Sequence, residues 1–109
     1  MEIIKTYNDD CCILSLTGEV DLESSPELRQ TLIEEVNKAQ HIIVNMAEVH
    51  YIDSSGIASL VEAFQGVRHK GMKFALVDVS EGAMRVLSLA RLDKVFTLFQ
   101  IIDEALSDF

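Results

Sequence analysis

The stretch "HIIVNMAEVHYIDSSGIASLVEAF", residues 41–64, changes its apolar rhythm halfway along. Its first six residues, 41–46, form a continuous run too short for a helix and rich in β-branched side chains, the pattern of a strand buried on both faces. From residue 57 the apolar positions Ile57, Leu60, Val61, Phe64 and Val67 recur at helical spacing, which predicts an amphipathic helix ending near Gly71. Between the two lies "HYIDSSG", residues 50–56, read as a polar loop. A buried strand leading through a short loop into a helix is the repeating unit of parallel sheets.

The same unit recurs on either side. "KFALVDV", 73–79, repeats the buried-strand pattern, and Ser80 is placed to cap a helix carrying Ala83, Val86, Leu87 and Ala90. A short strand at 95–98 and a helix at about 101–107 complete that side. Toward the N-terminus, Leu28, Leu32 and Val36 recur every four residues while Glu27, Arg29, Glu34 and Glu35 fill the other face. Ser24 with Glu27 fits a capping box, and Ser25 before Pro26 fits an N-cap with proline first, so the helix begins within one residue of Ser25. "EIIKT", 2–6, and "CCILSLT", 11–17, flank the polar "YNDD" and predict a hairpin.

The resulting order is β-β-α-β-α-β-α-β-α, an α/β chain with a mainly parallel sheet that the leading hairpin makes mixed. With 109 residues there is room for one domain, expected to span 1–109. Partners of such sheets meet loops beyond the carboxyl ends of strands. Two loops qualify, "TGEVDLESS" at 17–25 and "HYIDSSG" at 50–56, and they share an edge when their parent strands lie parallel and adjacent.

Eighteen acidic residues stand against nine Lys and Arg, a formal charge of -9 that repels phosphate backbones and anionic lipid. Neither nucleic acid nor a membrane surface is an expected partner. No apolar run approaches the ~20 residues of a membrane span, and "MEIIKTYNDD" lacks the parts of a secretory signal, so a cytoplasmic location is expected. Cys11 and Cys12 are neighbours whose side chains alternate in a strand, which suits two reduced thiols better than a disulfide. The cysteines and the three histidines share no metal-ligand spacing, and the five glycines are scattered rather than set in a phosphate loop. No metal or cofactor is expected, and a monomer is.

Within 53–56, either Asp53 or Ser54 alone would cap the helix. Gly56 in the first turn costs about 1 kcal/mol relative to alanine, which points to close approach by another group. One hydroxyl and one glycine are thus left without a structural task. A phosphate on Ser54 would sit where helix-terminal N–H groups and the helix dipole favour anions, and would add about -1.5 to -2 charges to a surface already holding Asp53. Ser54 lacks the Gly-x-Ser-x-Gly elbow of a hydrolase, and neither His50, His41 nor His69 is placed to activate it, so no enzyme is expected.

"GEVDLESSPELRQTL" followed by "VHYIDSSGIASLVEA" resembles the STAS domain family, specifically its anti-sigma-factor antagonists. The signature positions are Gly18, Glu19 and Asp21, the Asp-Ser-Ser-Gly loop at 53–56, and the "LDKVF" stretch before the last strand. The resemblance implies a small mixed β-sheet with α-helices packed mainly on one face, and a role in partner switching. The unphosphorylated antagonist would bind an anti-sigma factor that is also a serine kinase, freeing a sigma factor. The kinase would then phosphorylate Ser54 with ATP, and a PP2C-type phosphatase would reverse it. Ser55 would be a neighbour rather than the acceptor, and Glu19, Asp21, Asp53, Ser54, Ser55 and Gly56 would form the partner-binding surface. Many members carry Gly-x-Gly after the serines, whereas this chain has Gly56-Ile57-Ala58. The departure leaves a second reading open, a STAS regulatory subunit that clamps the ATPase of an ABC-type lipid transporter.

Overall fold

Five strands form one sheet in sequence order, β1 (Glu2–Asn8), β2 (Cys11–Val20), β3 (His41–Ile52), β4 (Phe74–Val77) and β5 (Thr97–Phe99), in a computed structural model that describes residues 1–109. Strand β1 pairs antiparallel with β2, and every other pairing is parallel, as the hairpin and the strand–helix alternation require. The connecting helices are α1 (Ser25–Asn37), α2 (Ser54–His69) and α3 (Glu81–Leu89), with a 3-10 turn at Leu92–Lys94 before β5 and a final helix α4 (Ile102–Asp108). No helix is long and apolar enough to cross a membrane.

Alternation along the strands divides the core in two. Cys12, Leu14 and Leu16 of β2, Ile42, Val44 and Met46 of β3, and Phe74 and Leu76 of β4 point to one face. There they meet Leu28 and Leu32 of α1, Leu60, Ala63 and Val67 of α2, and Ala83 and Leu87 of α3. Their neighbours Cys11, Ile13, Ile43, Ala75 and Val77 point the other way, where only α4 covers them through Ala105. Three helices on one face and one on the other is the expected one-sided arrangement.

Strand β3 is longer than its apolar run, continuing past Met46 to Ile52. Two irregularities in its pairing with β2 explain this. Ser15 pairs with Asn45 but Thr17 with Glu48, and Gly18 with Val49 but Glu19 with Tyr51, so β3 twice carries one residue more than its partner. Each bulge shifts the phase of the side chains. Met46, Val49 and Ile52, three apart in sequence, all become buried although no period of two links them. The expected loop at 50–56 therefore contributes only Asp53 as non-strand, non-helix residue. Strand β2 likewise extends through the expected loop to Val20.

One charged side chain enters the core. Glu35 of α1 is fully buried, and its carboxylate accepts hydrogen bonds from Tyr7 Oη (3.0 and 3.1 Å), Lys38 Nζ (3.0 Å) and Gln40 Nε2 (3.0 Å). Lys5 Nζ lies 3.5 Å away. A buried carboxylate is tolerable only with such saturation, and this cluster ties edge strand β1 to the helical layer.

Candidate functional site

The ends of β2 and β3 lie side by side, Val20 opposite Ile52, and the Asp53 N–H donates to the Val20 carbonyl at 3.0 Å. The two motif-bearing segments therefore meet on one edge, as the topology requires. Asp53 is the N-cap of α2, with extended backbone and a side chain turned onto the helix end. Its Oδ1 accepts from the N–H of Ser55 (2.9 Å) and of Gly56 (3.2 Å), and from the Ser55 hydroxyl at 2.5 Å. These bonds, the Ser55 hydroxyl foremost, hold the Asp53 carboxyl below its usual range and keep it ionised.

This geometry assigns the three polar residues different tasks. Asp53 and Ser55 satisfy one another and the helix terminus. Ser54, the first residue of α2, is exposed, and its hydroxyl makes no hydrogen bond within the chain. No histidine or lysine bonds it, so nothing in the chain activates it as a nucleophile. Gly56 is buried: a Cβ there would stand 2.6 Å from Val20 Cγ1 and 2.7 Å from Ile52 Cγ1. The close approach inferred from the glycine is that of the two strand ends against the first turn of α2, so Gly56 shapes the surface from beneath rather than lying on it.

The neighbouring turn is built around Asp21. Its Oδ1 accepts from the N–H of Glu23 (3.0 Å), the N–H of Ser24 (3.1 Å) and the Ser24 hydroxyl (3.2 Å), and its carbonyl accepts from the Ser25 N–H at 2.8 Å. The Ser24 Oγ also accepts from the Asp21 N–H (2.9 Å), and the Glu19 carbonyl at 3.0 Å shares its single proton with Asp21 Oδ1. Helix α1 begins at Ser25, but the expected Ser24–Glu27 capping box does not form, because the Ser24 hydroxyl faces back into this turn. Asp21 is half-buried while Glu19 is exposed. Gly18, with φ +99°, takes a backbone conformation that favours glycine as the chain enters the motif.

Two features of this edge escape the sequence reading. The first is a third segment: Ser80, which caps α3 as expected by accepting from the Ala83 N–H (3.2 Å), also donates its hydroxyl to the Val49 carbonyl, and Gly82 lets α3 approach the His50 carbonyl. The loop after β4 thus joins the same edge and adds exposed Asp78 and Glu81. The second is a shallow groove of about 650 Å³ between α1 and α2, lined by Ser25, Arg29, Gln30, Ser55, Ser59 and Glu62 among others. Arg29 spans it with a forked pair of bonds to Glu62, 2.7 and 3.0 Å. Only the serines spaced four apart at 55 and 59 hint at that polar seam in the sequence.

Comparison with known proteins agrees with this geometry. Residues 2–105 match the model of the STAS domain. An anti-sigma F factor antagonist of Paenibacillus polymyxa is 24% identical over 99% of this chain and 94% of its own. A candidate anti-sigma factor antagonist of Thermotoga maritima is 30% identical over 92% of this chain and 90% of its own. The crystal structure of the Thermotoga maritima protein superposes with a TM-score of 0.90, at 28% identity, over 97% of this chain and 92% of that one. The antagonist SpoIIAA shares the fold at 16% identity in its unphosphorylated form (TM-score 0.85, 98% of this chain, 95% of that one) and in its phosphorylated form (TM-score 0.78, 98% of each). By the family match along nearly its whole length, and by relatives that keep its strand order, the chain belongs to the STAS domain family.

Proposed function

We propose that this chain is an anti-sigma-factor antagonist whose docking to an anti-sigma factor with serine-kinase activity is switched off by phosphorylation of Ser54. The observation that carries the reading is the free hydroxyl of Ser54, exposed at the first position of α2, beside an aspartate and a serine that are bonded to each other. A kinase reaching this edge meets one unencumbered acceptor. The relatives named as antagonists, and one of them having been solved both without and with phosphate, support the assignment.

A phosphoryl group on Ser54 adds about -1.5 to -2 charges at neutral pH. It does so at a helix N-terminus, where the dipole offsets part of that charge, so folding is little affected. Docking is affected far more, since Glu19, Asp21 and Asp53 share the edge, and one repulsive contact at an interface centre costs about 2 kcal/mol or more, over tenfold in affinity. Glu19, Asp21, Asp53 and Ser55 form the partner-facing surface in this reading, with Gly56 beneath. The chain, acting as one domain over 1–109, works by binding, and a PP2C-type phosphatase resets it.

The test is incubation with ATP and a serine-kinase anti-sigma factor, followed by intact-mass measurement and a pull-down. The expected result is a gain of one phosphate that Ser54→Ala abolishes and Ser55→Ala does not, with release of the partner on phosphorylation. Phosphate on Ser55, or a partner retained despite phosphorylated Ser54, overturns the proposal. Recovery with the ATPase subunit of a lipid transporter instead moves the assignment to the transporter-associated branch.

A further inference from the structure

At the opposite end of α2, about 24 Å from Ser54 along a helix of 16 residues, lies a feature the switching role does not use. A cleft of about 410 Å³ opens between the last turns of α2, the start of β4 and the chain around β5. Its apolar wall is Phe64, Met72, Val95 and Phe109 with the almost fully buried Phe74 behind them, and Phe64, Phe74 and Phe96 pack edge-on or tilted against one another at ring-centroid separations of 5.4 to 6.0 Å. Two cations stand over this wall. The Arg68 guanidinium lies 5.2 Å from the Phe64 ring centre, and Lys73 Nζ donates to the Asp108 carbonyl at 2.8 Å.

Neither cation has a carboxylate partner. The ion pairs of the chain use Lys5, Arg29, Lys38, His41 and Arg85 instead, although acidic residues outnumber basic ones two to one. Arg68, Lys70 and Lys73 place three of the nine Lys and Arg within six residues, so this end of an acidic molecule is locally basic. The carboxylate of Asp108, which also lines the cleft, is an opposing charge there. The volume falls within the range of small-molecule sites, and an apolar wall with few polar groups is their usual composition.

We propose that this cleft binds a small amphipathic carboxylate, its acyl or aryl body of about eight carbons against Phe64, Met72 and Val95 and its carboxylate between Arg68 and Lys73. Both halves of the ligand are needed: the wall offers nothing to a bare anion, and the cations offer nothing to a neutral chain.

The experiment is a titration of the intact ¹⁵N-labelled chain with sodium octanoate, followed by amide chemical shifts. Octanamide and sodium acetate serve as comparators, since one lacks the charge and the other the body. The expected result is saturable octanoate shifts confined to 64–74, 95–97 and 108–109, with affinity at least about tenfold weaker for octanamide, for acetate, and for the Arg68→Gln/Lys73→Gln variant. Those side chains are on exposed residues, and wild-type spectra of the comparators decide the matter even should the variant fold poorly. Absence of saturation by about 10 mM, shifts centred elsewhere, or octanamide or acetate matching octanoate overturns the proposal.

Discussion

Replacing Gly56 with alanine sets two opposing terms against each other at the base of the docking edge. On helix propensity alone, alanine gains about 1 kcal/mol. The added methyl, however, arrives 2.6 Å from Val20 Cγ1, 2.7 Å from Ile52 Cγ1 and 3.1 Å from Ile52 Cδ1, where carbon atoms rest at about 3.5–4.0 Å. Relief requires either strand end to retreat by about 1 Å, and both side chains are fully buried in a close-packed core. Such overpacking costs about 1–3 kcal/mol. The net expectation is a loss of about 1 kcal/mol, or about 4–8 °C in Tm for a domain of this size. Gly66 supplies the control: a Cβ there meets one close atom, a methyl of partly buried Val36 at 2.8 Å, so Gly66→Ala stays within about 0.5 kcal/mol of the parent. Urea denaturation of both variants, with partner pull-down in parallel, measures the difference. Since Val20 and Ile52 precede the Asp21 and Asp53 turns, Gly56→Ala also weakens docking. A Gly56→Ala protein as stable as the parent refutes the claim that this glycine is dictated by packing.

Other outcomes follow from the same geometry. Asp53→Ala loses the cap of α2 and about 1 kcal/mol, whereas Asp53→Asn keeps the accepting oxygen and stays within about 0.5 kcal/mol; equal losses in urea denaturation contradict the capping assignment. For Glu35, burial raises the carboxyl pKa, but hydrogen bonds from Lys38 and Tyr7 outweigh it and the net shift is downward. Its contribution is therefore present above the unfolded value near 4.5 and drains away as pH falls through the lower folded value, so Glu35→Gln flattens the acid limb of a stability–pH curve and lowers neutral-pH stability by about 2 kcal/mol. Burial pushes the Cys11 and Cys12 thiols up to about 11 and about 12, so iodoacetamide at pH 8 labels neither in the folded protein and both after unfolding; rapid labelling of the native chain counts against the packing described.

The element order was readable because its signals were local. Ile42 to Val44 and Phe74 to Val77 are unbroken apolar runs, and the stripe from Ile57 to Val67 keeps helical spacing throughout. The second half of β3 was not, because its two bulges depend on the pairing with β2, and a triplet spacing of Met46, Val49 and Ile52 resembles neither a strand nor a full helix. The Ser24–Glu27 box failed for a related reason: a capping pattern names residues able to bond the helix end, and Asp21, already folded into the same turn, competes for the hydroxyl. Within Asp53-Ser54-Ser55 the spacing alone showed one hydroxyl too many, and it was the family resemblance that pointed to Ser54. The direction of the Ser55 side chain, bonded to Asp53, leaves Ser54 as the free hydroxyl.

The pairing of Lys5 with the buried Glu35 bears on how the molecule behaves in a crowd. Strand β1 is the exposed border of the sheet, and its outward N–H and C=O groups would template a further strand from another copy. Halfway along that border the Lys5 ammonium, turned toward Glu35 yet still partly exposed, keeps some of its water, which an arriving strand must strip. The same residue that helps fasten β1 to α1 thereby guards the molecule against growing, sheet upon sheet, into a fibre.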